Sequence, residues 1–102
     1  MAKSLTEALH ETAQDFYDAG VMSEQTMREF DAMCLPEIKE YTPNQIKQLR
    51  RKNKISQAVF AAYLNTVPST VQKWEQGQKK PSKFALKLLS LVDRYGIKFL
   101  AA

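Results

Sequence analysis

Residues 56–77 read SQAVFAAYLNTVPSTVQKWEQG, and their pattern predicts two short helices joined by a tight turn. Phe60 and Leu64 are four residues apart on the first helix, and Val71 and Trp74 are three apart on the second. Helical periodicity places each pair on one face of its helix. We therefore expect these four side chains to close a small core between the two helices.

Three small or turn-forming residues fit this arrangement. Ala61 lies where the second helix must cross the first closely, and a larger side chain there would push the helices apart. Asn65 follows the first helix and is one of the few non-glycine residues that tolerate the left-handed backbone of a sharp turn. Gly77 is a C-terminal stop for the second helix. The stretch therefore predicts a helical hairpin with a defined turn.

The outward face of the second helix is polar and has one cation, with no acid before Glu75. It comprises Pro68, Ser69, Thr70, Gln72, Lys73 and Gln76. A short helix held by its neighbour, with a polar face outward, is the geometry that enters the DNA major groove. An ordinary helical hairpin with a solvated face has the same pattern, so the spacing leaves both interpretations open.

A resemblance distinguishes these interpretations. It rests on Gln57, Ala61, Leu64, Asn65, Ser69-Thr70-Val71 and Trp74-Glu75-Gln76-Gly77. These residues resemble the repressor-type (Cro/C1, XRE-like) helix-turn-helix family without a gap over all 22 positions. With the helical periodicity elsewhere, this predicts an all-α fold, in which a five-helix repressor-like helix-turn-helix domain follows an N-terminal helical arm.

The second helix supplies the predicted base contacts. Ser69 can bond a base edge or a phosphate, and Thr70 is assigned to phosphate. Gln72 and Lys73 have the length to reach base edges, and lysine suits guanine O6 and N7. Pro68 offers an apolar contact to a thymine methyl group.

Further predicted contacts go to the sugar-phosphate backbone. The family pattern implies a phosphate contact for Gln57, and Lys79 and Lys80 follow the motif at a suitable place. The family often has a Ser or Thr cap before the second helix, but this chain has Val67. Thr66 is the candidate cap instead.

Several residues in and around the motif are not expected to contact bases. The cluster Arg50, Arg51, Lys52 and Lys54 is expected to be solvated or to provide general electrostatic attraction. Glu75 is expected to pair with a cation such as Arg50. Trp74 shares the inward face with Val71 and is therefore expected in the core.

Charge divides the chain into two parts. The 102 residues carry a net charge of +4, but residues 1–40 hold three Lys/Arg and nine acids and carry −6. Residues 41–102 hold twelve Lys/Arg and two acids and carry +10. The basic part suits a phosphate backbone, whereas the acidic part would be repelled by it. We therefore predict two domains, 1–40 and 41–102, with different partners.

The acidic region 1–40 has two predicted helices, one over 3–19 starting at Lys3 or Ser4, and one from Ser23 to just before Leu35-Pro36. Their apolar stripes can pack on the downstream domain or bind another protein, and the charge reversal favours the second. The candidate partner-binding residues are Leu5, Leu9, Phe16, Tyr17, Met27 and Phe30. A helical pair of this size is not expected to form its own core, so the free arm can be partly disordered.

The last helix, predicted from Lys83 to about Asp93, is apolar on nearly every side and must be covered on more than one. The following tail adds further apolar residues close to the end of the chain. We predict that these residues form a two-fold dimer contact, as reading of a palindromic site by a dimer requires. The candidates are Leu88, Leu91, Val92, Ile97, Phe99 and Leu100.

Catalytic and metal-binding patterns are absent from the sequence. His10 has no second His or Cys nearby, and the three glycines form no phosphate-binding loop, so no enzyme, metal site or cofactor is predicted. Cys34 is a single cysteine, which fits a reducing compartment. No apolar run is long enough for a membrane span and the N-terminus has no apolar signal region, so the cytoplasm is the expected location.

Residues 30–36, FDAMCLP, and 67–75, VPSTVQKWE, are also similar to antitoxins of the HigA type. That resemblance implies a type II toxin–antitoxin module. The chain would neutralise a basic RelE/HigB-like ribonuclease toxin and repress the shared operon. Two alternatives stay open: a protein inhibitor with secondary operator binding, and a stand-alone helix-turn-helix regulator without a toxin.

Overall fold

The computed structural model describes residues 4–101, and its contacts divide the chain into two compact units. The first unit extends to Glu37 and the second begins at Ile38. Every regular element in the described part of the chain is a helix, so the all-α prediction is confirmed. Lys3, one of the two predicted starts of the first helix, lies outside the described residues.

The first unit, here called the arm, contains α1 (Leu5–Asp18) and α2 (Glu24–Met33). Ser4 caps α1 in a capping box with Glu7, and Ser23 caps α2. Gly20, with φ +80°, ends α1 in the left-handed conformation that glycine adopts without steric cost.

The arm has a small interior of its own, contrary to the expectation that a helical pair could not form a core. Ala13 from α1 and Met27 from α2 are each only 2% exposed. A hydrogen bond of 2.7 Å between His10 Nε2 and Asp31 Oδ1 also joins the two helices. Met27 therefore stabilises the helical pair, which corrects its assignment as a partner-contact residue. Leu5, Leu9 and Phe16 are exposed, and Tyr17 and Phe30 are half-buried.

The second unit, here called the domain, contains four α-helices and a 3₁₀ helix. They are α3 (Pro43–Lys52), α4 (Gln57–Tyr63), α5 (Pro68–Glu75), α6 (Lys83–Tyr95) and the 3₁₀ helix Ile97–Ala101. The fifth helix of the predicted domain is thus this short 3₁₀ turn. Thr42 caps α3, and Pro43 stands in its first turn, where a missing N–H costs no helical hydrogen bond.

One apolar core holds the domain together, and all its helices contribute to it. Its buried members are Ile46, Leu49, Phe60, Ala61, Leu64, Val71, Trp74, Leu89, Val92 and Ile97. The four side chains predicted to join α4 and α5 are all among them. Ala61 is fully buried, as a close helix crossing requires.

Two residues predicted for the dimer contact lie in this core instead. Val92 is 1% and Ile97 8% exposed. Val92 lies on the side of α6 that packs in the core. Ile97 is buried because the chain turns back after α6, where Gly96 has φ +86°. The Asn53 side chain accepts a hydrogen bond from the Ile97 amide at 3.1 Å, which fixes the 3₁₀ helix beside the end of α3. The prediction was therefore wrong for Val92 and Ile97.

Within residues 4–101, none of the helices combines the length and the apolar character that a membrane crossing needs.

Candidate nucleic-acid interface

The turn between α4 and α5 is fixed by backbone hydrogen bonds. Asn65 has φ +57°, and its amide donates to the Ala62 carbonyl at 3.1 Å. The Thr66 amide donates to the Ala61 carbonyl at 2.9 Å, which completes a Schellman motif. The chain therefore reverses within a few residues, and α5 packs across α4 as in a helix-turn-helix.

The start of α5 departs from the sequence prediction. Its N-cap is Val67, with φ −108° and ψ 152°, and no side chain caps the helix. Thr66 therefore does not take the capping role, because its backbone belongs to the end of α4. Pro68 occupies the first turn, where its missing N–H costs no helical hydrogen bond.

The predicted groove residues share one accessible side of α5. Pro68, Ser69, Gln72 and Lys73 are exposed, and Thr70 is half-buried, whereas Val71 and Trp74 face the core. The long side chains of Gln72 and Lys73, which end in hydrogen-bonding groups, therefore lie one helical turn after the Ser69 hydroxyl group. This set can reach base edges in a major groove.

A largely buried ion pair connects the interface to α3. Arg50 Nε donates to Glu75 Oε2 at 2.7 Å, and Arg50 Nη2 donates to Glu75 Oε1 at 2.9 Å. The two side chains are only 14% and 3% exposed. The predicted pairing of Glu75 with Arg50 is confirmed. Arg50 is consequently not part of a solvated basic cluster.

Glu75 also holds Gln57, the predicted phosphate contact on α4. Gln57 Nε2 donates to Glu75 Oε1 at 3.3 Å, and the Gln57 side chain is half-buried. Arg50, Glu75 and Gln57 thus form a chain of contacts from α3 through α5 to α4. It orients the amide of Gln57 at the first turn of α4.

The surroundings of Arg50 and Glu75 favour the charged forms of both side chains. Burial by itself raises the pKa of the Glu75 carboxyl, but hydrogen bonds from Arg50 and Gln57 and the nearby positive charges outweigh it, so the net pKa is lowered. The hydrogen bond to Glu75 raises the pKa of the Arg50 guanidinium. Both groups therefore stay ionised at neutral pH.

The loop after α5 is tied back to the helix that precedes it. Gly77, with φ +74°, allows the Gln78 amide to donate to the Lys73 carbonyl at 2.9 Å. Lys79 and Lys80 follow directly and are both exposed. They follow the end of α5 whose last turn contains Lys73, so the three lysines can neutralise phosphates beside the groove.

One exposed residue at this interface was absent from the predicted contacts. Val67 is 56% exposed and belongs to neither the core nor a capping interaction. The sequence did show that a valine stands where a capping residue is expected, and this was the available signal. Among residues 4–101, no group of three or more His, Cys, Asp and Glu side chains is arranged to hold a metal ion.

The fold and this polar face define a helix-turn-helix DNA-binding domain, and comparison with known proteins agrees. The helix-turn-helix family matches residues 46–100, more than half of the chain. The chain therefore belongs to this family, as the repressor-type resemblance predicted.

One relative gives a more particular similarity. Over 54 residues the chain is 39% identical to Antitoxin HigA-2 of Vibrio cholerae serotype O1. The match covers 53% of this chain and 52% of the relative, so the chain spans about half the length of the curated relative that it matches. The similarity supports the HigA-type resemblance.

Proposed function

We propose that this protein is the antitoxin of a type II toxin–antitoxin module and acts in the cytoplasm. Its arm neutralises a basic RelE/HigB-like ribonuclease toxin, and its domain represses the operon by binding a palindromic operator. The observation that carries the proposal is the similarity to Antitoxin HigA-2, combined with a helix-turn-helix domain.

The accessible surface of the arm supports the toxin-binding half of the proposal. Leu5, Leu9 and Phe16 lie along one side of α1 and are 77%, 43% and 52% exposed. Residues 1–40 carry a net charge of −6 around them. An apolar helix face with acidic surroundings is complementary to a groove on a cationic protein.

The accessible face of α5 supports the operator-binding half. Gln72 and Lys73 can make base contacts, and Ser69 lies at the entering end of the helix. Gln57, Thr70, Lys79 and Lys80 surround them and can contact phosphates, which fix the register of a protein on the duplex.

We further propose that the operator-binding form is a homodimer. Phe84, Leu88, Leu91 and Tyr95 follow one another at spacings of four, three and four on α6, which places them on one face. Phe84 and Tyr95 are 77% and 57% exposed. Phe99, 50% exposed, stacks on Tyr95 with ring centroids 4.8 Å apart. This face replaces the predicted one that included Val92 and Ile97, while Leu88, Leu91, Phe99 and Leu100 remain candidates.

Sedimentation tests this dimer. Tyr95→Ser combined with Phe99→Ser removes exposed rings outside the core, so the domain is expected to keep its fold but dissociate at micromolar concentration. The matched control is Tyr63→Ser, an exposed aromatic residue on α4. A double variant that remains as dimeric as the wild type would contradict this assignment.

The whole proposal is tested by co-expression with the product of a small reading frame beside the gene. The wild-type chain is expected to co-purify with that product and to relieve its toxicity. Leu9→Asp combined with Phe16→Asp is expected to abolish both effects, while Val59→Asp on the domain leaves them unchanged. If no neighbouring product binds but an operator is still recognised, the chain is a stand-alone regulator and the antitoxin proposal fails.

A further inference from the structure

α5 begins differently from every other α-helix in residues 4–101. In the other five, a hydroxyl side chain at the N-cap accepts a hydrogen bond from the amide three residues later. These caps are Ser4, Ser23, Thr42, Ser56 and Ser82. Val67 has no polar atom with which to do the same.

Neither local stability nor packing accounts for this valine. Serine or threonine at an N-cap is more stabilising than valine, so α5 forgoes a contribution that its neighbours have. The Thr70 amide donates to the Val67 backbone carbonyl at 3.0 Å instead. The Val67 side chain is 56% exposed and lies outside the core cluster, so little burial offsets the missing cap. The residue therefore has an apolar side chain at a place where the fold does not use one.

We propose that Val67 is a specificity-determining residue that reads a thymine methyl group in the operator. The inference rests on the proposed operator binding by α5. The first residues of a recognition helix are those closest to the base edges, and Val67 directly precedes this helix. Thymine is the one base that presents a methyl group in the major groove, and apolar side chains recognise it by contact. Val67 and Pro68 together form an apolar surface next to the hydrogen-bonding set Ser69, Gln72 and Lys73.

Replacing thymine with uracil tests this assignment, because the two bases differ only in that methyl group. The operator is first selected from random duplexes with the full-length wild-type protein. Each thymine of the half-site is then replaced in turn by uracil, and affinity is measured by fluorescence anisotropy. We expect the affinity to fall about fourfold per half-site at one position, the value of one buried methyl group.

Val67→Ser identifies the side chain that reads the methyl group. It restores a capping hydroxyl, so the Tm is expected to rise by about 4 °C while the preference for thymine over uracil disappears at that position. A rise in Tm also shows that lost discrimination is not caused by misfolding. Val59→Ser is the matched control, because Val59 is an exposed valine on α4 (41%), and it is expected to keep the preference.

Two results would overturn the inference: a wild type that is insensitive to uracil throughout the half-site, or a Val67→Ser variant that still distinguishes thymine from uracil. A protein that selects no operator at all would refute the proposed operator binding itself, which is a different outcome. Binding that is sequence-specific but independent of methyl groups refutes only the role of Val67.

Discussion

Among single residues, Arg50 and Glu75 form an ion pair that connects two helices of the domain. It joins α3 to α5 through two hydrogen bonds and also positions Gln57. Removing one member of such a pair leaves an uncompensated buried charge, which is costly. The pair therefore stabilises the domain and orients a side chain at the interface.

Glu75→Gln is expected to destabilise the domain by about 3 kcal/mol at pH 7, because Arg50 loses its charge partner. Urea unfolding followed by Trp74 fluorescence measures this change. Asp93→Asn is the control: Asp93 is exposed and accepts a hydrogen bond from Tyr41 Oη at 2.8 Å, so its loss should cost about 1 kcal/mol or less. Equal effects of the two substitutions would contradict this role for Glu75.

The same carboxyl group predicts a pH dependence. Its pKa is lower in the folded protein than the ordinary value of about 4.3, so its contribution is fully present above that value. The contribution is lost as pH falls from about 5 through the folded pKa, because the unfolded state binds the proton first. Glu75→Gln should therefore give a shallower decline of the free energy of unfolding as the pH falls below about 5. An unchanged slope would show that other carboxyl groups cause the acid sensitivity.

Asn65 provides a backbone prediction. Its φ of +57° is left-handed, a conformation that costs a residue with a branched Cβ about 1–2 kcal/mol. Asn65→Gly is therefore expected to keep the Tm within a few degrees of the wild type, whereas Asn65→Val should lower it clearly. Thermal unfolding of both variants distinguishes a conformational requirement from a side-chain contact.

Local chemistry explains which residues could be predicted from the sequence. Asn65 and Gly77 depend on their immediate neighbours, and the structure confirms both. Thr66, the candidate cap of α5, was wrong because its backbone belongs to the end of α4. Burial of Ile97 depends instead on the return of the chain after Gly96 and on the distant side chain of Asn53. No local pattern contains that information.

Among the helices, periodicity predicted α4, α5 and α6 but not the 3₁₀ helix Ile97–Ala101, and exposure within each helix depended on its packing partners. The stripe on α1 extends over Leu5, Leu9, Ala13 and Phe16, yet only Ala13 is covered, because α2 contacts one part of that face. The α6 stripe likewise divides into a core side and an accessible side. Amphipathic spacing identifies the apolar face of a helix, but it does not show which part of that face another element covers.

The contribution of the small interior of the arm to its stability can be tested by substitution. Met27→Ala removes its largest buried side chain, and a cavity of this kind typically costs 2–5 kcal/mol. We expect the amides of α1 and α2 to lose protection in hydrogen exchange while those of the domain are unaffected. Met33→Ala, an exposed methionine on the same helix, is the matched control. If both variants leave the arm equally protected, the buried Met27 side chain does not stabilise it.

At the scale of the whole molecule, charge separates two surfaces that suit different partners. Residues 1–40 carry −6 and residues 41–102 carry +10, although the total is only +4. This division is visible in the sequence because it requires no knowledge of packing. It suits a protein that holds a cationic partner with one unit and a nucleic acid with the other.

Salt dependence measures the contribution of the basic surface. If Lys79 and Lys80 each neutralise a phosphate, a dimer makes four such contacts. Replacing both with Gln should then reduce the slope of log K against log [salt] by about 3.6. The control exchanges Lys87 and Lys98 for Gln, which removes the same charge elsewhere on the domain. Equal slopes for the two double variants would place the phosphate contacts elsewhere.

The most direct test of the two-surface account is one experiment in which operator and toxin binding are measured on the same full-length preparations. Two variants are compared with the wild type: Leu9→Asp with Phe16→Asp in the arm, and Gln72→Ala with Lys73→Ala on α5. We expect the arm variant to lose toxin binding but keep its operator affinity, and the α5 variant to lose operator affinity but keep toxin binding. Loss of both activities in either variant, or of neither, would contradict the assignment of one partner to each unit.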